Sequence, residues 1–167
     1  MRKVLFGLAT LLTLTATNIF AQQAAQSPAS NATGKIGNAN ITINYGSPSV
    51  KGRVIWGELV PYGKVWRTGA NKATTFETDA DITVEGQPLK KGKYALFTIP
   101  EKNEWTVIFN KTTDQWGAFN YKQDDDVLRV KAKPSASNES VESLKLEVGK
   151  NGVTMKWEKI AVSFGVK

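Results

Sequence analysis

Between Ile41 and Phe164 the apolar residues recur at every second position, and this alternation constrains the fold more than any other feature of the chain. Ile41, Ile43 and Tyr45 alternate with Thr42 and Asn44, and Leu144, Leu146 and Val148 alternate with Lys145 and Glu147. Val153, Met155 and Trp157 repeat the pattern against Thr154, Lys156 and Glu158, followed by Ile160, Val162 and Phe164. Successive side chains of a strand point to opposite faces, so each run predicts a strand with one face on a core. Two runs, Tyr94 to Ile99 and Trp105 to Phe109, are apolar almost throughout, as in strands covered on both faces. The polar stretch Pro100 to Glu104 between them is short enough for a hairpin, which predicts antiparallel pairing. Asn151-Gly152 supplies a tight turn between the runs 144–148 and 153–157. With Ala73 to Thr78, Asp81 to Val84 and Val127 to Lys133 the count reaches about eight or nine strands, and no segment carries a helical stripe. The expected fold is all-β, an antiparallel β-sandwich of jelly-roll type, with a closed barrel as the alternative.

The 167 residues suit one domain preceded by an address. Met1-Arg2-Lys3 is basic, Val4 to Ile19 is uncharged, and Ala21 precedes Gln22 as a small residue at a cut, so residues 1–21 read as a secretory signal peptide. A membrane anchor is disfavoured, because the apolar stretch is interrupted by threonines and an asparagine and no second one follows. Residues 22–38 are small and polar, without an apolar period, and are expected to form a flexible leader to a sandwich domain at 39–167. Ser135 to Ser140 (SASNES), after Pro134, is expected to be a loop within that domain. The location implied is periplasmic or secreted.

Two absences exclude whole classes of chemistry. Without histidine there is no Ser-His-Asp or Cys-His machinery and no imidazole metal ligand; without cysteine there is no thiolate nucleophile, disulfide or lipidated N-terminal cysteine. No cofactor, metal site or catalytic residue is indicated. The net charge of +7 falls to +5 without Arg2 and Lys3, and the lysines are scattered rather than interleaved with aromatics, which argues against nucleic acid. The run Asp124-Asp125-Asp126 lacks the alternating spacing of a calcium loop and reads as a solvated turn.

The stretch Gly52 to Thr74 is the least strand-like part of the domain and the densest in unusual residues, with two tryptophans, a tyrosine and two arginines. We expect a long irregular loop at 52–72, its path defined by Gly57, Pro61, Gly63 and Gly69. Tyr62, Trp66, Arg67 and Asn71 combine aromatic faces, a guanidinium fork and an amide, which suits sugar hydroxyls or a carboxylate. A packing role stands beside this one: Trp56 and Trp66 would plug the open end of the sandwich, with Arg67 and Asn71 bonding the loop's own carbonyls. Trp116, in the second aromatic loop Gln115 to Tyr121, would join Tyr62 and Trp66 in one patch if the loops fold side by side.

The run IWGELVPYGKVWRTGANKATTF, followed by GKYALFTIP, EWTVIFNK, QWG and DDVLRV, resembles a family of exported bacterial proteins known as domain of unknown function 2911. The resemblance extends from about Ile41 to near Phe164. It implies export and a single β domain, and it brings no activity, cofactor or catalytic residue. Three function classes remain open. The first is a non-catalytic exported β-sandwich that binds a glycan or cell-envelope component through Tyr62 to Asn71. The second is a carboxylate-dependent hydrolase of envelope polysaccharide, and the third is a structural or interaction protein.

Overall fold

A computed structural model describes residues 27–167 of the chain. The signal peptide and the first part of the leader expected from the sequence lie outside the described residues. Ten strands follow in order: β1 (Ala29–Ile36), β2 (Ala39–Gly46), β3 (Thr74–Thr78), β4 (Ile82–Val84), β5 (Gln87–Leu89), β6 (Gly92–Ile99), β7 (Trp105–Asn110), β8 (Asp126–Ala132), β9 (Pro134–Gly149) and β10 (Gly152–Gly165). One turn of 3-10 helix, Gln123–Asp125, precedes β8. No helix among the described residues is long and apolar enough to cross a membrane.

Six strands form one antiparallel sheet in the order β1-β2-β3-β6-β7-β8. The long hairpin β9–β10 and the short hairpin β4–β5 make the second layer of an antiparallel sandwich. These two hairpins are joined where Val166, just past β10, bridges Val84 of β4. Alternation explains the layering. Ile41, Ile43, Phe76, Tyr94, Leu96, Val107, Phe109, Leu128 and Val130 point inward from the large sheet and meet Leu144, Leu146, Val153, Met155, Trp157, Val162 and Phe164 of the hairpin.

Two aromatic groups organise this interior. Phe109 meets Phe76, Tyr94 and Phe164 edge-to-face at centroid distances of 5.1, 6.3 and 6.0 Å. A second group joins four tryptophans: Trp56 and Trp66 contact each other and each contacts both Trp105 and Trp157, with Trp66 and Trp157 stacked at 5.9 Å and 17°. Such pairs add about 0.5–1.5 kcal/mol each beyond the area they bury.

Two segments differ from the sequence reading. Residues 29–36, within the expected leader, form β1 and pair with β2 along their whole length. The inward positions of β1 hold small residues because the second layer comes close: a Cβ on Gly34 would stand 2.7 Å from Val148 Cγ1. Ser135 to Ser140, expected as a loop, opens β9 and pairs with β10 through a register broken around Glu158. Its side chains are mostly exposed, so no apolar alternation marks it as strand. The irregular loop is real, and it extends from Ser47 to Ala73 with only isolated bridges.

Trp157 is 1% exposed, touches Trp56 and Trp66, and donates its indole N–H to Glu142 O. Trp157→Ala should lower unfolding stability by about 3–5 kcal/mol, the usual cost of deleting a buried aromatic. Chemical denaturation followed by circular dichroism measures this, and a loss below about 1 kcal/mol would mean the tryptophan group does not hold the two layers together.

Candidate functional site

The loop from Ser47 to Ala73 starts against the second layer and ends on the first. Ser47 donates through Oγ to Leu144 O at 2.7 Å, Val50 N–H bonds Glu142 O, and Leu144 N–H bonds Pro48 O. Farther on, Trp66 exchanges both backbone bonds with Thr98 of β6, so residues 65–67 run as an extended segment beside the sheet. Trp66 points inward, is 8% exposed, and donates its indole N–H to Gly69 O at 3.1 Å. The chain then turns through Thr68 and Asn71, both at positive φ (55° and 64°). A β-branched residue there is strained. Buried bonds hold it: Thr68 Oγ1 pairs with Thr98 Oγ1 at 3.1 Å, and Thr74 Oγ1 donates to Thr68 O at 2.8 Å.

Beyond this turn, residues 71–73 pair with residues 115–117 of the β7–β8 loop. Ala73 N–H bonds Gln115 O, Gly117 N–H bonds Asn71 O, and Lys72 lies opposite Trp116. This ribbon borders a hollow of about 480 Å³ lined by Asn31 of β1, Asn44 of β2, Thr75 of β3 and Asn71, Lys72 and Ala73 of the ribbon, among others. The volume falls in the range of small-ligand sites. Asn31 and Asn44 are directly paired across β1 and β2, and Asn44 is in turn paired with Thr75, so the three form a polar row on the outer face. One end of the hollow is fixed by a close approach: Ala70 N–H bonds Gly46 O, and a Cβ on Gly46 would collide with the Ala70 carbonyl. Asn71 Nδ2 donates to Ser27 O at 3.1 Å, which ties the start of the described chain to the same rim.

The β7–β8 loop is fastened by a polar network rather than by apolar contacts alone. Asn110, fully buried, donates to Asp126 Oδ1 at 2.9 Å and to Lys122 O at 3.0 Å, while its own Oδ1 accepts Thr112 N–H at 3.0 Å. Asp126 Oδ2 accepts from Tyr121 Oη at 2.6 Å and from Arg129 Nε at 2.7 Å, and Arg129 Nη2 donates to Tyr121 Oη at 2.6 Å. Beneath the loop Ala73, Ala95, Phe97 and Ile108 make a second small core, with Ala118 and Tyr121 packed on it. The loop so held displays Trp116, 56% exposed, and Phe119, 85% exposed. The acidic run is therefore not a solvated turn throughout. Asp125 accepts from Thr112 and pairs with Lys111, and the Asp126 side chain is 7% exposed.

The residues singled out from the sequence thus part company. Asn71 and Trp116 come together across the ribbon. Trp66 takes the packing role, inside the core. Tyr62 lies elsewhere, half-buried beside Glu101, Lys102, Asn103, Glu104 and Lys131, where Lys131 pairs with Glu104 at 3.2 Å. Arg67 is half-buried; its Nε–H is enclosed without an acceptor, and burial pushes its pKa down. It does not bond its own loop's carbonyls. Asn31, Asn44 and Thr75 were not singled out, because a polar row on a strand reads as a solvated face until the ribbon beside it is known.

Asp79, Asp81, Asp125 and Glu147 are held below the usual carboxylate range, chiefly by hydrogen bonds from Asn40, Lys90, Thr112 and Lys156. A glycosidase acid needs the opposite shift. No group of three or more acidic side chains placed to hold a metal ion occurs among the described residues.

A family model described as "Protein of unknown function (DUF2911)" matches residues 27–166. The chain belongs to this family. No curated protein and no solved structure matches it significantly. The match covers the DUF2911 domain from before β1 to the end of β10, so the hollow, the ribbon and both loops all lie inside the family's own domain.

The Tyr121 phenol is pushed up from 10.0 to about 12, first by burial and then by its bond to Asp126. The folded state holds this proton more tightly than the unfolded one, so the contribution to stability is full below pH 10 and is lost as pH rises toward 12. Thermal unfolding of wild type should therefore weaken across that window more steeply than that of Tyr121→Phe. Equal slopes for the two proteins would show that Tyr121 is not held by the network described.

Proposed function

We propose that this domain is an exported, non-catalytic binding module whose ligand is polyhydroxylated, a glycan or glycan-bearing envelope component, held in the hollow between the β1–β3 face and the 71–73 ribbon. One observation carries the reading: Asn31, Asn44, Asn71 and Thr75 line a single hollow of about 480 Å³, and Lys72 of the same lining lies opposite the exposed Trp116 in the ribbon. Carboxamides both donate and accept, as sugar hydroxyls do, and an exposed indole offers a flat apolar face to a ring's C–H groups. Lys72 in the lining is paired with Asp114 at 3.0 Å. The site differs from the one expected at Tyr62 to Asn71, keeping Asn71 and Trp116 and replacing Tyr62 and Trp66 with the sheet residues. Export is supported by the basic start, uncharged stretch and Ala21-Gln22 step of the sequence.

A glycan array probed with the full chain, followed by calorimetry on the strongest hit, tests the proposal. Trp116→Ala and Asn44→Ala should each weaken binding by about tenfold or more, the scale of a central contact. Tyr62→Ala should leave it unchanged. Silence across the array, or wild-type affinity in both site variants, would overturn the assignment.

A further inference from the structure

The described chain holds three arginines, and two of them are hydrogen-bonded within it. Arg53 donates from Nε to Val50 O at 3.1 Å and from Nη2 to Ser49 O at 2.5 Å. Arg129 bonds Asp126 and Tyr121. Arg67 makes no ion pair among the described residues, and its enclosed Nε–H finds no acceptor. Of the carboxylates in and next to the β7–β8 loop, Asp114 is paired with Lys72, Asp125 with Lys111 and Asp126 with Arg129.

The position follows from the fold. Trp66 points inward opposite Thr98, so strand alternation turns Arg67 outward, to the face that carries the hollow. The bond from Thr74 N–H to Arg67 O places its backbone next to Ala73 and Thr75, two residues of the hollow's lining, so Arg67 stands beside the hollow rather than in its wall. The enclosed Nε–H is out of a ligand's reach, but the two Nη groups have no partner among the described residues, and a guanidinium without counter-charge is matched by a planar anion that takes two parallel N–H···O bonds from them.

We infer that Arg67 recognises an anionic group, a carboxylate or a phosphate, on the ligand of the hollow, which makes that ligand an acidic rather than a neutral saccharide. This rests on the binding reading above and deepens it. The remaining positive charge of the domain favours the same sign of partner.

Calorimetric titration of the full chain with trigalacturonate, with its fully methyl-esterified form and with a phosphorylated trisaccharide is the test. Wild type should bind one of the two anionic probes about tenfold or more tightly than the neutral ester. The better anionic probe identifies carboxylate or phosphate as the group. That preference should vanish in Arg67→Gln and shrink in Arg67→Lys, which keeps the charge without the fork, while binding of the neutral ester stays at its wild-type level. Equal wild-type affinity for acidic and neutral probes overturns the inference and leaves the binding module standing. Failure of wild type to bind any of the three overturns both. Should Arg67→Gln not fold, the wild-type comparison and Arg67→Lys decide the matter. A charge preference that persists in Arg67→Lys undiminished would place the recognition on another residue.

Discussion

The stack of Trp66 on Trp157 is the contact on which the rest of the arrangement depends. It joins the irregular loop to the β9–β10 hairpin across the interior, with Trp56 and Trp105 closing around it at edge-to-face angles. Once Trp66 is inside and its backbone is paired with Thr98, the alternation of an extended segment leaves no choice for its neighbours. Val65 packs on the small outer core and Arg67 faces outward. The strained turn at Thr68 follows from the same commitment, since the chain must leave the inner side at Gly69 and rejoin the sheet at Thr74 within a few residues. A core contact thereby sets the geometry of a surface feature.

The β7–β8 loop solves a different problem. Its tip carries two exposed aromatics, which by themselves give the backbone no reason to stay in place. Burying Asn110 and Asp126 at the base of the loop is costly unless their partners are found, and here they bond each other while Tyr121, Arg129 and Gln115 donate from their side chains and Thr112 from its backbone N–H. A polar network defines directions as well as contacts, so the loop has one arrangement rather than several packed alternatives. The ribbon with residues 71–73 extends that rigidity to the rim of the hollow.

How much of this was legible in the sequence depends on whether burial leaves a periodic mark. The strands with one apolar face announced themselves, and so did the Asn151-Gly152 turn. β1 did not, because its inward residues include Gly34, kept small by the approach of Val148, and only Ala32 and Ile36 remain as an apolar signal. The start of β9 did not, because a strand exposed on both faces has the composition of a loop. The loop at 52–72 was recognisable as the dense region of the chain. Its content could not say which aromatics face inward, and Trp66 and Trp116, equally conspicuous in sequence, have opposite surroundings. Asn31 and Asn44 are ordinary outward residues of an edge pair; only the ribbon, built from segments some forty residues apart in the chain, turns that face into a hollow.

The same construction bears on how a ligand would be held. The floor of the hollow is hydrogen-bonded sheet, one end is clamped by the contact of Gly46 with Ala70, and the ribbon side is braced by the buried network. Little remains to be ordered on binding, so hydrogen bonds and stacking made there are not offset by the cost of fixing a loop. Histidine, the one side chain whose ordinary pKa lies near neutrality, is missing from the chain, and the Tyr121 network titrates far above it. A hollow of fixed shape, in a chain without histidine or cysteine, would hold a ligand with no imidazole or thiol switch of its own, so release would depend on competition, dilution or the ligand's own titration.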